Sequence, residues 1–98
     1  MRMGHDDIRR LNKICDLRKM MILKSLHKGP RSFSELKNEC MLTDGNLFRH
    51  LTPMLNAEFI SKEKRGLGRK AKSVYTLTYE GQREFDKLLD ILLSILKN

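Results

Sequence analysis

The spacing of apolar residues changes twice along this chain, and the two changes limit the folds open to it. From about Asp6 to His27 apolar residues recur every three or four positions: Ile8, Leu11, Ile14 and Cys15, then Leu17, Met20, Met21, Ile22, Leu23 and Leu26. That period predicts helix. Asp16 has N-cap chemistry in the middle of the stretch, so one continuous rod and two helices meeting near Cys15 and Asp16 are both open. Gly29-Pro30 ends it. A short helix follows, with Ser34 as its N-cap, Glu35 where the helix dipole favours an acid, and Leu36, Cys40 and Met41 or Leu42 on its apolar side. Thr43 and Asp44 repeat the cap chemistry ahead of a helix carrying Leu47, Phe48, Leu51, Met54 and Leu55. At Phe59 the period falls to two. Ile60 to Arg65 and Ser73 to Leu77 read as strands of a hairpin turning at Gly66-Leu67-Gly68, with Tyr75 and Leu77 alternating against Val74 and Thr76. After Thr78, another cap, the helical period returns to about Lys97, and eight of the twelve residues from Phe85 to Leu96 are apolar.

Ninety-eight residues in this order make one domain, mainly α with a small β-hairpin, and leave no room for separate substrate and cofactor lobes. With 20 Lys and Arg against 12 Asp and Glu, the net charge of +8 favours a polyanionic partner, nucleic acid ahead of an anionic membrane surface. The core of so short a chain is modest, so association with a second copy is expected. Two cysteines, Cys15 and Cys40, have no Cys-x-x-Cys spacing and fit a reducing compartment, with a redox pair between them left open. Residues 1–10 are polar and no run of about 18 apolar residues occurs, so the expectation is a soluble, cytoplasmic protein with no membrane partner.

The stretch SFSELKNECMLTDGNLFRHL, Ser32 to Leu51, resembles the helix-turn-helix of small ArsR/MarR-type winged-helix transcriptional regulators. The later GLGRKAKSVYTLTYEG, Gly66 to Gly81, resembles their wing, with its closing tyrosine, leucine, threonine and glycine. Together the two cover about half the chain. The resemblance implies a winged helix-turn-helix with N- and C-terminal dimerisation helices: a helical segment over about 1–28, the helix-turn-helix over 33–57, the wing over 59–77 and a dimerisation helix over 78–97. It also implies a homodimer that binds double-stranded DNA with the second helix of the pair in the major groove.

The residues support that role on their own chemistry. Winding 44–55 at about 100° per residue puts Leu47, Leu51, Met54 and Leu55 on one stripe and Gly45, Asn46, Arg49, Thr52 and Pro53 on the other. An Asn can bridge adenine N6 and N7 and an Arg guanine O6 and N7, so Asn46 and Arg49 are the candidate base readers, with Thr43, Asp44, Gly45, Phe48 and Thr52 around them. Any solvated helix face carries such residues, and the adjoining basic hairpin tips the balance toward DNA. Phe48 at the stripe's edge either meets a thymine methyl or closes the core, with core the expected role. His50, on the other edge, is read as a packed or hydrogen-bonded residue. Gly45 is a poor helix former, which suits either close approach to a phosphate or ordinary tolerance in a first turn. The hairpin sets Lys62, Lys64, Arg65, Arg69, Lys70 and Lys72 against one acid, Glu63. Arg69, next to Gly68, is the candidate for a narrow minor groove, and the lysines for phosphates.

In the last helix Phe85, Leu88, Leu92 and Ile95 follow a coiled-coil spacing, with Leu89, Leu93 and Leu96 in an adjoining stripe. That arc is wider than one small core needs. The expected dimer interface comprises Ile8 and Leu11 with Phe85, Leu88, Leu89, Leu92, Ile95 and Leu96. A membrane-lying helix is the rival, but acids and bases alternate on its polar side.

Two positions depart from the family pattern. Pro53 should kink or break the second helix after Thr52. Glu58 stands where a glycine commonly ends that helix, so the left-handed cap is shifted to Asn56 or lost. Gly66-Leu67-Gly68 lacks the third glycine and the strand-to-helix setting of a dinucleotide loop. His5, Cys15, His27, Cys40 and His50 lack metal-ligand spacing, and no nucleophile constellation is present, so neither cofactor, metal nor catalysis is expected. The reading is a sequence-specific DNA-binding transcriptional regulator. The alternative is a winged-helix interaction scaffold whose basic hairpin docks an acidic partner. RNA is a lesser variant, since the hairpin lacks aromatics for stacking. Operator, direction of regulation and small-molecule effector are not encoded in these features.

Overall fold

The computed structural model describes residues 16–97. Ile8, Leu11 and Cys15, two expected at a subunit contact and one in a redox pair, lie outside that range. Among the described residues four α-helices and a small antiparallel sheet follow one another in the order α1 (Leu17–His27), β1 (Arg31–Ser32), α2 (Phe33–Cys40), α3 (Asp44–Asn56), β2 (Ile60–Arg65), β3 (Lys72–Leu77) and α4 (Tyr79–Lys97). No helix among the described residues is long and apolar enough to cross a membrane.

Helix starts are set by side-chain acceptors. Asp16 caps α1, its Oδ1 accepting from the amides of Arg18 at 3.0 Å and Lys19 at 3.4 Å. The cap of α2 is Ser32, not Ser34: Ser32 Oγ accepts from the Glu35 amide at 3.2 Å while Glu35 Oε1 accepts from the Ser32 amide at 3.0 Å. This reciprocal box satisfies two otherwise orphaned donors, and the S-x-x-E spacing that produces it begins at Ser32. Those hydrogen bonds from Ser32 hold the Glu35 carboxyl below its ordinary value. Thr43 caps α3 through the Asn46 amide at 3.2 Å.

Helix ends depend on two residues with positive φ. Met41, at φ +54°, closes α2 with its side chain 89% exposed, so only Leu42 of the expected pair packs against the core. Glu58, at φ +61°, itself takes the left-handed position after α3. The Glu58 amide donates to Leu55 O at 3.0 Å and the Phe59 amide to Met54 O at 3.0 Å, the bond pair of a Schellman motif. The expected shift of the cap to Asn56 does not occur. Pro53 does not end α3 either, since the helix runs on to Asn56. Its last turn is held from both sides, by buried Met54 and by the Ala57 amide donating to Pro53 O at 2.9 Å.

The sheet has three strands in the order β1-β3-β2, one more than the expected hairpin. β1 is only two residues long and pairs Arg31 with Tyr75 and Ser32 with Val74, too short to leave a period in the sequence. β2 and β3 pair from Ile60 with Leu77 to Arg65 with Lys72. The connection is longer than Gly66-Leu67-Gly68: a 3-10 turn over Gly68–Lys70 follows Leu67 before β3 begins. Gly66 at φ +99° and Gly68 at φ +60° take backbone conformations that other residues rarely adopt.

The core gathers Ile22, Leu23 and Leu26 of α1, Leu36 and Cys40 of α2, Leu47, Leu51 and Met54 of α3, Ile60 and Tyr75 of the sheet, and Phe85 and Leu88 of α4. Phe85 and Leu88, expected at a subunit contact, are instead 6% and 7% exposed within this chain's own core. Phe48 departs the opposite way: it is 62% exposed, because it lies about 90° around α3 from the buried Leu47, Leu51 and Met54. Burial pushes the Cys40 thiol and the Tyr75 phenol above their ordinary values.

One contact fixes α4 against the turn after α3. A Cβ on Gly81 would stand 1.9 Å from Phe59 O and 2.6 Å from Leu77 Cδ1, so only glycine lets the two backbones meet. Thr78 anchors the same junction, its Oγ1 donating to Glu58 O at 2.6 Å and accepting from the Gly81 amide at 3.0 Å.

Candidate nucleic-acid interface

α3 buries one stripe and presents the rest. Gly45, Phe48, Arg49, Thr52 and Pro53 are exposed and Asn46 is half-buried. Not all of the seven residues singled out on this helix are equally available. The Thr43 hydroxyl serves the cap, and Thr52 Oγ1 donates to Phe48 O at 3.0 Å. Asp44 pairs with Lys37 of α2 at 3.0 Å, tying the two helices of the motif together. Asn46 and Arg49 are hydrogen-bonded to each other, Arg49 Nη2 donating to Asn46 Oδ1. The two groups with base-edge chemistry are therefore side by side, one turn apart, each holding the other in place. Gly45 faces open space: a Cβ added there would meet nothing within 4 Å.

His50 sits behind them. Its Nδ1 lies 2.8 Å from Asn46 O and its Nε2 3.3 Å from Asp16 Oδ2, the carboxylate whose other oxygen caps α1. Arg18 and Lys19, in the first turn of α1, line the same depression as Asn46, Arg49 and His50. Lys19 is engaged, with Glu84 of α4 at 2.8 Å and the Phe59 ring at 4.9 Å. Arg18 is an exposed cation beside the candidate readers that the sequence pattern does not single out. Only the approach of the start of α1 to α3, marked by the Asp16–His50 contact, brings it there, and Asp16 as a cap two residues earlier is the one hint of its position.

The hairpin carries the second cluster. Every residue from Ser61 to Lys70 is exposed, as is Lys72. Arg65 pairs with Glu63 at 2.7 Å, so the single acid offsets that cation. Among the described residues no ion pair involves Lys62, Lys64, Arg69, Lys70 or Lys72. Arg69 and Lys70 lie in the 3-10 turn at the tip, while Lys62, Lys64 and Lys72 lie on the strands. Leu67, at the tip between the two glycines, is 89% exposed. Among the described residues no group of three or more His, Cys, Asp or Glu is placed to hold a metal ion.

On α4 the buried residues stop at Leu88. Beyond it Leu89, Leu92 and Ile95 are half-buried, and Leu93 and Leu96 are 51% and 38% exposed. On α1, Leu17 and Met21 are 40% and 43% exposed.

Solved structures of similar fold include transcriptional regulators. The transcriptional regulator BldR of Sulfolobus solfataricus superposes with a TM-score of 0.77 at 17% identity, over 93% of this chain and 66% of its own. A PadR family transcription regulator of Clostridium difficile gives 0.75 at 18%, over 82% and 91%. Bacillus subtilis PadR, in complex with operator DNA, gives 0.67 at 24%, over 74% of this chain and 46% of its own. This chain thus spans just under two thirds of the Sulfolobus protein and less than half of the Bacillus one. At these identities the likeness is one of fold. No curated protein matches the sequence. The family model described as a winged helix DNA-binding domain matches residues 17–96. With the helix pair, the three-stranded sheet and the exposed basic hairpin all inside that match, the chain belongs to the winged helix DNA-binding domain family.

Proposed function

We propose that this chain is a transcriptional regulator that binds double-stranded DNA sequence-specifically as a homodimer in the cytoplasm, without catalytic activity. The observation that carries the reading is the pair of half-buried Asn46 and exposed Arg49 on α3, followed in the chain by a hairpin with five cations that have no ion-pair partner among the described residues. Asn46 and Arg49 reach base edges in the major groove, with Phe48 and Gly45 beside them. Thr43, Asp44 and Thr52 support the helix through the cap, the Lys37 pair and the backbone. Arg69 enters the minor groove while Lys62, Lys64, Lys70 and Lys72 neutralise phosphates. Arg65, offset by Glu63, contributes less.

The second copy docks along the distal half of α4, through Leu89, Leu92, Ile95 and Leu96 with Leu93, where this chain leaves apolar surface uncovered. Two reading helices then meet successive major grooves about 34 Å apart. PadR regulators stand among the structural relatives, and a PadR-like architecture is preferred here to an ArsR/MarR-type one. Phe48 is a single exposed aromatic among polar neighbours. It does not make the apolar patch that a protein-docking scaffold needs.

Selection of bound sequences from a random duplex pool tests this reading. The expected product is a pseudo-palindrome with half-sites one helical turn apart. Recovery of no preferred sequence, together with equal binding to any polyanion, would contradict it.

A further inference from the structure

We infer that His50 is a positioning residue for the DNA-reading face and makes DNA binding proton-linked, an inference that rests on the reading above. Its imidazole bridges two acceptors. Nδ1 is 2.8 Å from the carbonyl of Asn46, and Nε2 is 3.3 Å from the carboxylate of Asp16. A neutral imidazole has one N–H and one lone pair, so it can donate to only one of these groups and turns a lone pair toward the other. The imidazolium donates to both. With 17% of its side chain accessible, the ring has little water to substitute for the missing donor.

The bridge joins three things that matter for reading DNA. Asn46 is a candidate base reader, and its side chain holds Arg49. Its carbonyl lies one turn back along α3 from His50. Asp16 is the N-cap of α1, so the charged ring ties the start of α1 to the middle of α3. Loss of the proton releases one end of this tie, and α3 then keeps its helix but loses its fixed setting against α1.

The charged groups around the ring set the direction of the linkage. Asp16 favours the imidazolium. Arg18 and Lys19 of α1 and Arg49 of α3, which line the same depression, oppose it, with Lys19 offset by Glu84 of α4. Bound duplex brings phosphates to this face, where they compensate Arg18 and Arg49. The imidazolium, which alone donates to both Asn46 O and Asp16, is therefore the form that suits the complex, and by linkage affinity rises as pH falls.

The test is binding of the selected duplex between pH 8 and pH 6 at fixed ionic strength by the parent, His50→Gln, Asp16→Asn and Arg49→Ala. Asn caps a helix as well as Asp does, so Asp16→Asn removes the charge while keeping the start of α1. The parent should gain about 3- to 10-fold in affinity over this range. His50→Gln and Asp16→Asn should each gain less than about 2-fold, with melting temperatures near the parent's. His5 and His27 remain in every variant, so their contribution cancels in the comparison. Parent-like pH dependence in both His50→Gln and Asp16→Asn overturns the inference while leaving the base-reading account standing. If Arg49→Ala also keeps full sequence preference, it is the base-reading account that fails.

Discussion

At the residue scale, four positions separate folding from binding. Gly45 faces open space, so Gly45→Ala should stabilise the free protein by about 1 kcal/mol through helix propensity. The same methyl should weaken DNA binding if the backbone approaches a phosphate there. Thermal melts and gel-shift titrations of the one variant read both effects, and a gain in each would remove the phosphate contact from the account. Gly81 gives the reverse case. Any Cβ there collides with Phe59 O, so Gly81→Ala should cost about 3 kcal/mol or unfold the chain, as measured by urea denaturation. A parent-like midpoint would show the junction of α4 and the turn to be looser than described. Phe48→Ala should leave stability within about 0.5 kcal/mol, because the ring is mostly exposed. If the ring meets a thymine methyl, replacing thymine by deoxyuridine in the bound site should weaken the parent and have no further effect on the variant. Arg49, whose side chain is held by Asn46 and not by the core, should govern sequence preference without governing stability.

At the element scale, caps and ends account for what was readable in the sequence and what was not. Long apolar periods placed α1, α3, the two long strands and α4, because those elements bury a stripe or a face. The expected cap of α2 falls two residues late, at Ser34, although the S-x-x-E spacing singles out Ser32: Glu35 stands three positions after Ser32, whereas Lys37 stands three after Ser34. β1 was not legible, since two residues carry no period. Pro53 and Glu58 were misleading because local propensity was overridden: the turn around them is fixed by Met54 in the core and by Gly81 against Phe59. That override should leave strain at Glu58, so Glu58→Gly is expected to stabilise the domain by about 0.5 to 1 kcal/mol, net of the added freedom of the unfolded chain. The capping box supplies a pH signature. Glu35 titrates below 4.5 in the folded state, so its contribution is present above pH 4.5 and is lost as the pH falls through the folded value. Glu35→Gln keeps the acceptor without the titration. Its stability should fall less between pH 5 and pH 3 than the parent's, and an identical fall in both proteins would place the acid sensitivity elsewhere.

At the scale of the whole molecule, the candidate site was legible as charge and as helix face, whereas its internal connections were not. A sequence shows the hairpin cations and the polar side of α3. It does not show that His50 reaches Asp16, which depends on how separate elements pack, nor which rotamers pair Glu63 with Arg65 along β2 and Asn46 with Arg49 along α3. The division of α4 was also hidden: one apolar arc supplies Phe85 and Leu88 to the core and leaves Leu93 and Leu96 outside. Replacing both exposed leucines by Glu should convert a dimer to a monomer in sedimentation without lowering the melting temperature. A parent-like mass would place the subunit contact elsewhere. The central claim is that α3 and the hairpin grip one duplex, and a salt titration tests it most directly, with the parent, Arg49→Ala, Arg69→Ala and the double variant on one selected site. Arg69→Ala should reduce the slope of log K against log salt by about 1 while keeping sequence preference. Arg49→Ala should abolish much of that preference, and the double variant should show both losses. Parent-like binding by both single variants would contradict the account.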